Sequence, residues 1–475
     1  MIIEGYYDSI DFFEDINDPS VIYAEVKVPA IGASKKAYKM FVPIDDRKLK
    51  SYIRQFILPN APGYATVNTI LEEAKDILSL GSNPNKAAPR IRTAGTLANH
   101  LMEYDLNNDA HEYVKITPSG WCITKNSKHK FLKRNAMGMQ VSPKQTDHDL
   151  LSLLKPFLNT DRDGQIIFAT WITQAYCMGN HSAMIIMSPQ GSGKSTLTRM
   201  ARSIVDPSRL DAVVMSQKKD DLFALLSNNY FVAFDNTDEL SKDTSNILCS
   251  AITRATMAKR LLYTTNELGV YELHNTLVLN GLDIMPKESD LASRCLLLKL
   301  NSISPKARKP LAEIEANFAI ALPEILGAIF NTLSKAMTII ENIHPQEMPR
   351  MADSYKEMLA IAIAMGISEQ EFSRIYRENL AQIDKERSNI AIVEAICEYM
   401  TSSLVKGRAV EGTVSSLYSK IYSSYSGTKS NLPQAPHAFG KKLRQESRVL
   451  EAAGYTCNFD DTFADGTHLK IIKNK

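Results

Sequence analysis

The segment with the clearest chemistry is SPQGSGKST, residues 188–196, which lies between a continuous apolar run and a helical pattern. This is the context of a Walker A loop, in which glycines let backbone amides curl around phosphate oxygens. The N-terminus of the following helix adds partial positive charge. The sequence therefore predicts a site for the phosphates of ATP, formed by Gly191, Ser192, Gly193, Lys194, Ser195 and Thr196.

Lys194 and Ser195 have separate tasks in this prediction. The Lys194 ammonium reaches the β- and γ-phosphates, and the Ser195 hydroxyl coordinates Mg²⁺. Ser188 stands where the usual pattern has its leading glycine. The alternative, a Gly/Ser turn with a surface lysine, is disfavoured because the apolar run, the glycines and the helical pattern occur together.

An acidic residue, Asp235, follows the second apolar run, residues 230–234. We predict that it is the Walker B carboxylate beside the metal; a helix-capping or turn aspartate is the alternative. Asn236 comes next, and its amide can orient a water but cannot take its proton. Asp238 or Glu239 is the candidate base, unless positioning and metal charge suffice.

Two further polar residues flank apolar runs. Asn280 follows the run 276–279, where its amide would bond the attacking water or the γ-phosphate; a strand-terminal turn is the alternative, because Gly281 follows. Arg294 precedes the run 295–298. Presented by a neighbouring subunit, its guanidinium would neutralise charge on the transferred phosphoryl group, whereas a surface ion pair is the alternative.

Composition limits the classes of protein. The 475 residues predict about two to four domains. A net charge of +2, with 44% apolar and 23% charged residues, indicates a soluble globular protein whose nucleic-acid sites are local patches. The six cysteines form no CxxC pair, which favours reduced thiols in the cytoplasm. Neither a signal peptide nor a membrane span is expected.

The elements that position these residues follow from periodicity. Apolar runs interleaved with helical patterns predict an α/β fold with a buried parallel sheet over residues 146–304. Residues 1–145 are predicted to form a mixed α+β domain, for which a ring collar and a DNA-binding module are the two expected roles. Residues 305–385 are predicted to be almost entirely helical, and residues 386–475 to form helices followed by short strands. Strands are expected at 21–28, 37–42, 112–116 and 121–124.

A basic stretch, residues 115–145, carries lysines and an arginine but no acidic residue, with Trp121 and Phe131 interleaved. Cations and aromatic rings together can bind phosphates and stack on bases. A solvated basic face over core aromatics explains the same pattern equally well.

The motifs GSGKST, FDN at 234–236, KRLLYT at 259–264, LNG at 279–281, DLASR at 290–294 and PRMAD at 349–353 occur in this order. As a set they resemble the AAA+ replicative helicases of phages and integrative mobile elements, which are akin to MCM and superfamily 3 helicases. The resemblance covers residues 110–475. It implies a hexameric ring with ATP bound between subunits, a P-loop AAA+ core at 146–304 and a helical lid at 305–385.

The resemblance also implies roles for matching residues. They are Lys194 and Ser195 for Walker A, Asp235 and Asn236 for Walker B, Asn280 for sensor 1, Arg294 for the arginine finger and Arg350 for sensor 2. Independently, Arg350 stands at the start of a helix, where a cation is poorly placed for the helix dipole. An exposed arginine at a helix end is the alternative.

Residues 260–274 read as a β-hairpin around an Asn- and Gly-containing turn. In the resembling families a hairpin at this place projects into the channel, so Lys259 and Arg260 at its base are predicted to contact single-stranded DNA. The tip, Asn266 and Glu267, lacks the lysine of an MCM hairpin. An edge hairpin without a ligand is the alternative.

The last ninety residues, 386–475, resemble a winged-helix domain. Lys441, Lys442 and Arg444 fall on its third helix, in the position that enters the major groove of duplex DNA. Wing modules also mediate protein contacts, which is the alternative.

These observations together predict an ATP-driven DNA helicase for replication of a mobile element. An ATP-dependent initiator or helicase loader that does not unwind DNA remains the alternative. A small-molecule kinase is disfavoured because no acceptor pocket is evident, and no paired carboxylates in residues 1–110 support a primase.

Overall fold

A computed structural model describes residues 10–18, 21–29, 37–57, 64–80, 85–188, 191–216, 218–235, 240–260, 268–281, 286, 288–387, 390–402, 405, 407–426, 429, 432–463 and 466–474. The chain divides into two compact units. The first comprises Met1–Ile284 and Ser293–Arg377, and the second comprises Met285–Ala292 and Glu378–Lys475.

The N-terminal part of the first unit contains two small sheets. One has the order β3-β2-β1-β4 and packs on helical segments; the other is antiparallel with the order β5-β6-β7-β8. The elements are β1 Ile10–Asp15, β2 Ile22–Val28, β3 Tyr38–Pro43, α1 Arg47–Tyr52, a π-turn Ile53–Ile57, α2 Tyr64–Leu80, β4 Asn85–Ala87, β5 Thr93–Thr96, β6 Leu101–Asp105, β7 Tyr113–Thr117 and β8 Gly120–Thr124.

The strands expected here, β2, β3, β7 and β8, are present within one or two residues. Strands β1, β4, β5 and β6 were not expected. Their sequences are short or interrupted by acidic, glycine or other polar residues, and they are strands because tertiary pairing outweighs weak propensity.

A four-stranded parallel sheet forms the middle of the first unit, in the order β10-β13-β9-β14. Its strands and helices are α3 Leu150–Leu154, α4 Arg162–Gln174, β9 Ala183–Met187, α5 Lys194–Val205, α6 Lys219–Asn228, β10 Phe231–Phe234, α7 Lys242–Ile252, β13 Thr276–Asn280 and β14 Cys295–Lys299. The strands are buried on both faces almost throughout, which explains their continuous apolar runs.

A two-stranded hairpin, β11 Thr256–Arg260 and β12 Leu268–Glu272, lies between β10 and β13 in the chain. Thr256 pairs with Glu272, and Arg260 pairs with Leu268. The expected position of Lys259 and Arg260 at the base of the hairpin is therefore wrong, because they occupy the end nearest the turn. The expected arm and tip at residues 261–267 fall outside the described residues.

Helices α9 Leu311–Ile339, α10 Ala352–Ala364 and α11 Glu369–Arg387 follow the sheet. The segment Leu311–Asn342 is long and apolar enough to cross a membrane by length and composition alone, so the expectation that no stretch reaches that length is wrong. However, 56% of its most apolar window is buried. Gly327 contacts the Lys144 carbonyl so closely that a Cβ would overlap it, which is the packing of a core helix.

The second unit contains α8 Ser289–Ala292, α12 Ile390–Thr401, β15 Ala409–Thr413, α13 Val414–Ser424, α14 Pro436–Gln445, α15 Ser447–Ala452, β16 Tyr455–Phe463 and β17 Gly466–Lys473. Its antiparallel sheet has the order β15-β17-β16. Leu417, Phe439 and Leu469 belong to the core in which helices pack on this sheet. Strand β15 was not expected, since its sequence AVEGT lacks a clear apolar alternation.

A buried ion pair connects the sheet β5–β8 region to the end of α5. The Arg92 Nε donates to Asp206 Oδ1 at 2.7 Å, and both side chains are almost completely inaccessible to solvent. Arg92 also donates to the carbonyls of Asp105, Gly138 and Pro207, so its hydrogen-bonding capacity is used by buried backbone. Asp206 in turn accepts from the backbone amide of Phe231 in β10.

We expect Arg92→Met to lower the free energy of unfolding by about 3–5 kcal/mol, because the variant would leave the buried Asp206 carboxyl without its partner. Urea unfolding followed by circular dichroism measures the change. Arg209→Met, at an exposed position, is the matched control and should stay within about 0.5 kcal/mol of the unmodified chain. Equal urea unfolding transitions for the two variants would contradict a structural role for the Arg92–Asp206 ion pair.

Candidate nucleotide and nucleic-acid sites

The loop between β9 and α5, called the phosphate loop below for its expected role, contains glycine conformations suited to phosphate binding. Gly191 has φ 74° and Gly193 has φ 88°, both in the left-handed region that a side chain disfavours. Gly193 is the N-cap of α5, so the free amides of the first helical turn face the loop. Ser192 between them is buried. Pro189 and Gln190 fall outside the described residues.

Lys194 begins α5 and turns back toward the loop. Its Nζ donates to the carbonyl oxygen of Ser188 at 2.8 Å. The ammonium is thus held over the loop by the residue that follows β9. Thr196, in the first turn of the helix, lines a cavity between α5 and α9 with Arg199 and Glu315.

Ser195 in α5 and Asp235 after β10 are brought together by the fold. The Ser195 Oγ donates to Asp235 Oδ2 at 3.3 Å. Asp235 directly follows β10, and its backbone amide donates to the Val213 carbonyl at 3.0 Å, which fixes its position. A hydroxyl and a carboxylate in contact are oxygen ligands of the kind that Mg²⁺ prefers, so the residues present fit this ion. Asn236, Asp238 and Glu239 fall outside the described residues.

Asn280 ends β13, the strand that lies between β9 and β10. Its side chain is 1% exposed, and neither Oδ1 nor Nδ2 has a hydrogen-bond partner among the described residues. A buried amide without partners costs free energy, and such groups recur where a ligand completes the hydrogen bonds. Its place beside the carboxyl ends of β9 and β10 is the place expected of a group that contacts phosphate or water.

Arg294 and Arg350 lie at the opposite edge of the sheet. The Arg294 carbonyl accepts from the amide of Ala183, where β9 begins, so the length of β9, about 16 Å, separates that point from the phosphate loop. The Arg350 Nη1 donates to Ser293 Oγ at 3.0 Å, which places it next to Arg294. The two arginines are therefore neighbours, distant from the phosphate loop of their own chain.

A cation beside the phosphate loop, Arg308, was not expected from the sequence. Its Nη2 lies 3.2 Å from the point where a Cβ on Gly191 would stand. Arg308 follows β14 in the chain. Between them, the backbone amide of Asn301 donates to the Asn159 carbonyl, and at the end of β14 the Lys299 carbonyl accepts from the Thr160 hydroxyl. Arg308 occurs in no motif and follows an expected domain boundary, so no local pattern identified it.

The residues expected to contact duplex DNA lie on α14. Phe439, Gly440 and Leu443 form its buried side, and Lys441 and Arg444 are exposed. Lys442 differs, because its Nζ pairs with Glu446 at 2.8 Å, and the Arg444 guanidinium lies 4.0 Å from the centre of the Phe459 ring. Of the three residues expected to contact duplex DNA, Lys441 is therefore the one that takes no part in these intramolecular contacts.

The interleaved aromatics of the basic stretch are core residues. Trp121 is 9% exposed and donates from Nε1 to Asn331, and the buried Phe131 stacks on Tyr113. These two rings are not available to stack on bases, which supports the alternative of a basic face over core aromatics.

We expect Asn280→Leu to keep or raise the thermal unfolding temperature in the absence of nucleotide, because it removes two buried polar atoms that lack partners in the described part of the chain. Asn275→Leu is the matched control: Asn275 is also buried, but its Nδ2 donates to the carbonyls of Leu226 and Asn229. That variant should lose about 1–3 kcal/mol. Equal destabilisation by both would show that Asn280 has a structural partner.

Residues 148–384, just under half of the chain, match the family model of the actinomycete integrative conjugative element replication protein. The matched segment contains the phosphate loop, Asp235, Asn280, Arg294, Arg308 and Arg350. No curated protein matches the chain.

Two solved structures resemble the chain weakly over nearly its whole length. One is described as "SCCmec type IV Cch - active helicase", with 13% identity, 98% of this chain and 93% of that chain covered, and a TM-score of 0.47. The other is the NrS-1 C-terminal region, with 12% identity, coverage of 99% and 97%, and a TM-score of 0.43. At these TM-scores the likeness is too slight to assign the fold. By its family match, the middle of the chain is similar to the replication proteins of actinomycete integrative conjugative elements.

Proposed function

We propose that this protein is an ATP-dependent DNA helicase that forms a ring, a hexamer, and acts in replication of a phage or other mobile genetic element. One observation carries the proposal: a glycine loop, the Ser195–Asp235 contact and Asn280, whose amide has no hydrogen-bond partner among the described residues, lie at one edge of a parallel sheet. The family match of this segment to replication proteins supports it.

In this proposal the AAA+ core binds MgATP at that edge. The amides of Gly191, Ser192, Gly193 and Thr196 and the Lys194 ammonium hold the phosphates, and Ser195 and Asp235 hold the metal. Mg²⁺ supplies neutralisation of phosphate charge. Asn280 orients the attacking water, and Arg308 adds a cation beside Gly191. Asn236 cannot accept the proton, so Asp238 or Glu239 remains the candidate base.

Arg294 and Arg350 act on the neighbouring subunit's ATP in this proposal, as arginine finger and sensor 2. Their position at the amino edge of the sheet supports action in trans, because they are distant from the phosphate loop of their own chain. Alternation of subunit interfaces between tight and loose states would move the hairpins β11–β12 along single-stranded DNA, with Lys259 and Arg260 as phosphate contacts.

The second unit is the winged-helix domain of this proposal. The β15-β17-β16 sheet packed on helices, with α14 exposing Lys441 and Arg444, supports contact with duplex DNA. A protein of this kind acts in the cytoplasm. An ATP-dependent initiator or helicase loader would use the same sites without unwinding, and strand displacement on a forked duplex separates the two: DNA-stimulated ATPase without displacement favours the loader.

We expect Lys194→Ala to abolish ATP hydrolysis, because the loop would lose the ammonium that neutralises the β- and γ-phosphates. Phosphate release measures the effect. Lys309→Ala is the control, since Lys309 lies next to Arg308 but pairs with Glu313 at 2.9 Å. Near-normal turnover of Lys194→Ala would end the assignment of the site.

We expect Arg294→Ala alone to lose ATPase activity by a factor on the order of 10³, the effect of removing an arginine finger. Mixed with Lys194→Ala, it should regain part of the activity, because mixed rings contain an intact phosphate loop facing an intact arginine. Each variant at the same total concentration is the control. Absence of complementation at every mixing ratio would argue against action in trans.

A further inference from the structure

We propose that a lysine-rich pocket in the N-terminal part of the first unit binds single-stranded DNA, with lysines on the phosphates and a Tyr38–His111 ring stack beside a base. The pocket has a volume of about 210 Å³. It is remote in sequence from the hairpin and α14, and its binding does not depend on ATP. It would give the ring a second contact with the strand.

Cations outnumber carboxylates in this lysine pocket. Five lysines and two acidic residues line it: Lys39, Lys48, Lys125, Lys130, Lys133, Glu25 and Asp46. Glu25 pairs with both Lys39 and Lys130, and Asp46 caps α1 by accepting from the Lys48 backbone amide. Within the described part of the chain, the ammonium groups of Lys48, Lys125 and Lys133 form no ion pair with a carboxylate. These three supply positive charge that an anion would neutralise.

The electrostatic effect of this charge extends to neighbouring groups. Burial lowers the pKa of His111 to about 4, and Lys133 and Lys125 contribute to the lowering. Burial also lowers the pKa of Lys133; Asp105 opposes this, whereas Lys48 and Arg92 lower it further. His111 is therefore neutral at pH 7, and its ring can take part in stacking without adding charge.

The aromatic part of the pocket comes from outside the basic stretch. Tyr38 in β3 and His111 before β7 stack with ring centroids 3.6 Å apart and planes at 7°. Both are half-buried, so part of each ring remains accessible. His111 has φ 53°, a left-handed conformation that costs energy outside glycine and recurs at binding sites. A flat ring pair bordered by lysines is the combination that binds single strands without sequence preference.

The size of the pocket favours a single strand over other polyanions. A cavity of about 210 Å³ cannot receive a duplex, whereas it can receive part of one nucleotide while the chain continues across Lys125 and Lys48. An acidic peptide would gain ion pairs but would leave the ring stack without a matching partner. A free phosphate or a mononucleotide has the same chemistry as one nucleotide of a strand, and the experiment below distinguishes these ligands from a strand.

The test measures the binding of fluorescein-labelled oligo(dT) to the full-length protein by anisotropy, over a series of salt concentrations. Lys125→Ala/Lys133→Ala should reduce the slope of log K against log salt by about 1.4, since each lost phosphate contact on a single strand contributes about 0.7. The control, Lys155→Ala/Lys335→Ala, removes the same charge at exposed positions and should keep the slope. Equal slopes for the two pairs would overturn the proposal.

Two further measurements locate the contact. Tyr38→Leu should weaken oligonucleotide binding about 5- to 150-fold, the effect of losing one stacked base, while the salt slope stays unchanged. Oligonucleotides with 4-thiothymidine should crosslink to peptides that contain Tyr38 or His111. Crosslinks confined to other peptides would refute the single-strand assignment. It would also be refuted if the pocket variants lost binding of AMP and inorganic phosphate but kept oligonucleotide binding. ATPase without DNA should be unchanged in these variants, so failure here is distinct from failure of the ATP site.

Discussion

The candidate nucleotide site depends on one constraint, the common direction of strands β10, β13 and β9. Because parallel strands end at the same edge of a sheet, residues that follow them in the chain meet there although 40 or more residues separate them in sequence. Ser195, Asp235 and Asn280 owe their proximity to this alignment. The hydrogen bonds of the ladder align the strand ends, and the Ser195–Asp235 hydrogen bond adds one contact between the side chains.

The same direction of the strands explains why two arginines stand apart from that edge. Arg294 precedes β14 and therefore lies at the amino edge, with Arg350 hydrogen bonded beside it through Ser293. In the proposed function, a chain with phosphate-binding groups at one edge and two neighbouring arginines at the other would be complementary to a second copy of itself in head-to-tail order. Heterologous contacts of this kind close into rings when the rotation between copies permits.

The sequence was informative where one local pattern determines the structure. The runs at 183–187 and 276–279 are strands because both faces are buried, and GSGKST has the glycine conformations that its letters predict. It was uninformative where pairing between distant segments determines the structure, as for β5, β6 and β15, which have weak strand propensity. The position of Arg308 beside Gly191 likewise depends on the path of the chain after β14. Periodicity also could not place Lys259 and Arg260 along the hairpin, since register depends on the turn.

Helix α5 spans about 18 Å from the phosphate loop to the β5–β8 sheet. At its far end the Tyr104 hydroxyl donates to the Val205 carbonyl, the Gln140 amide donates to the Ile204 carbonyl, and Arg92 holds Asp206. These contacts leave the helix little freedom to slide independently of the sheet. An axial displacement of α5 at the glycine loop would therefore be transmitted to the β5–β8 sheet through these contacts.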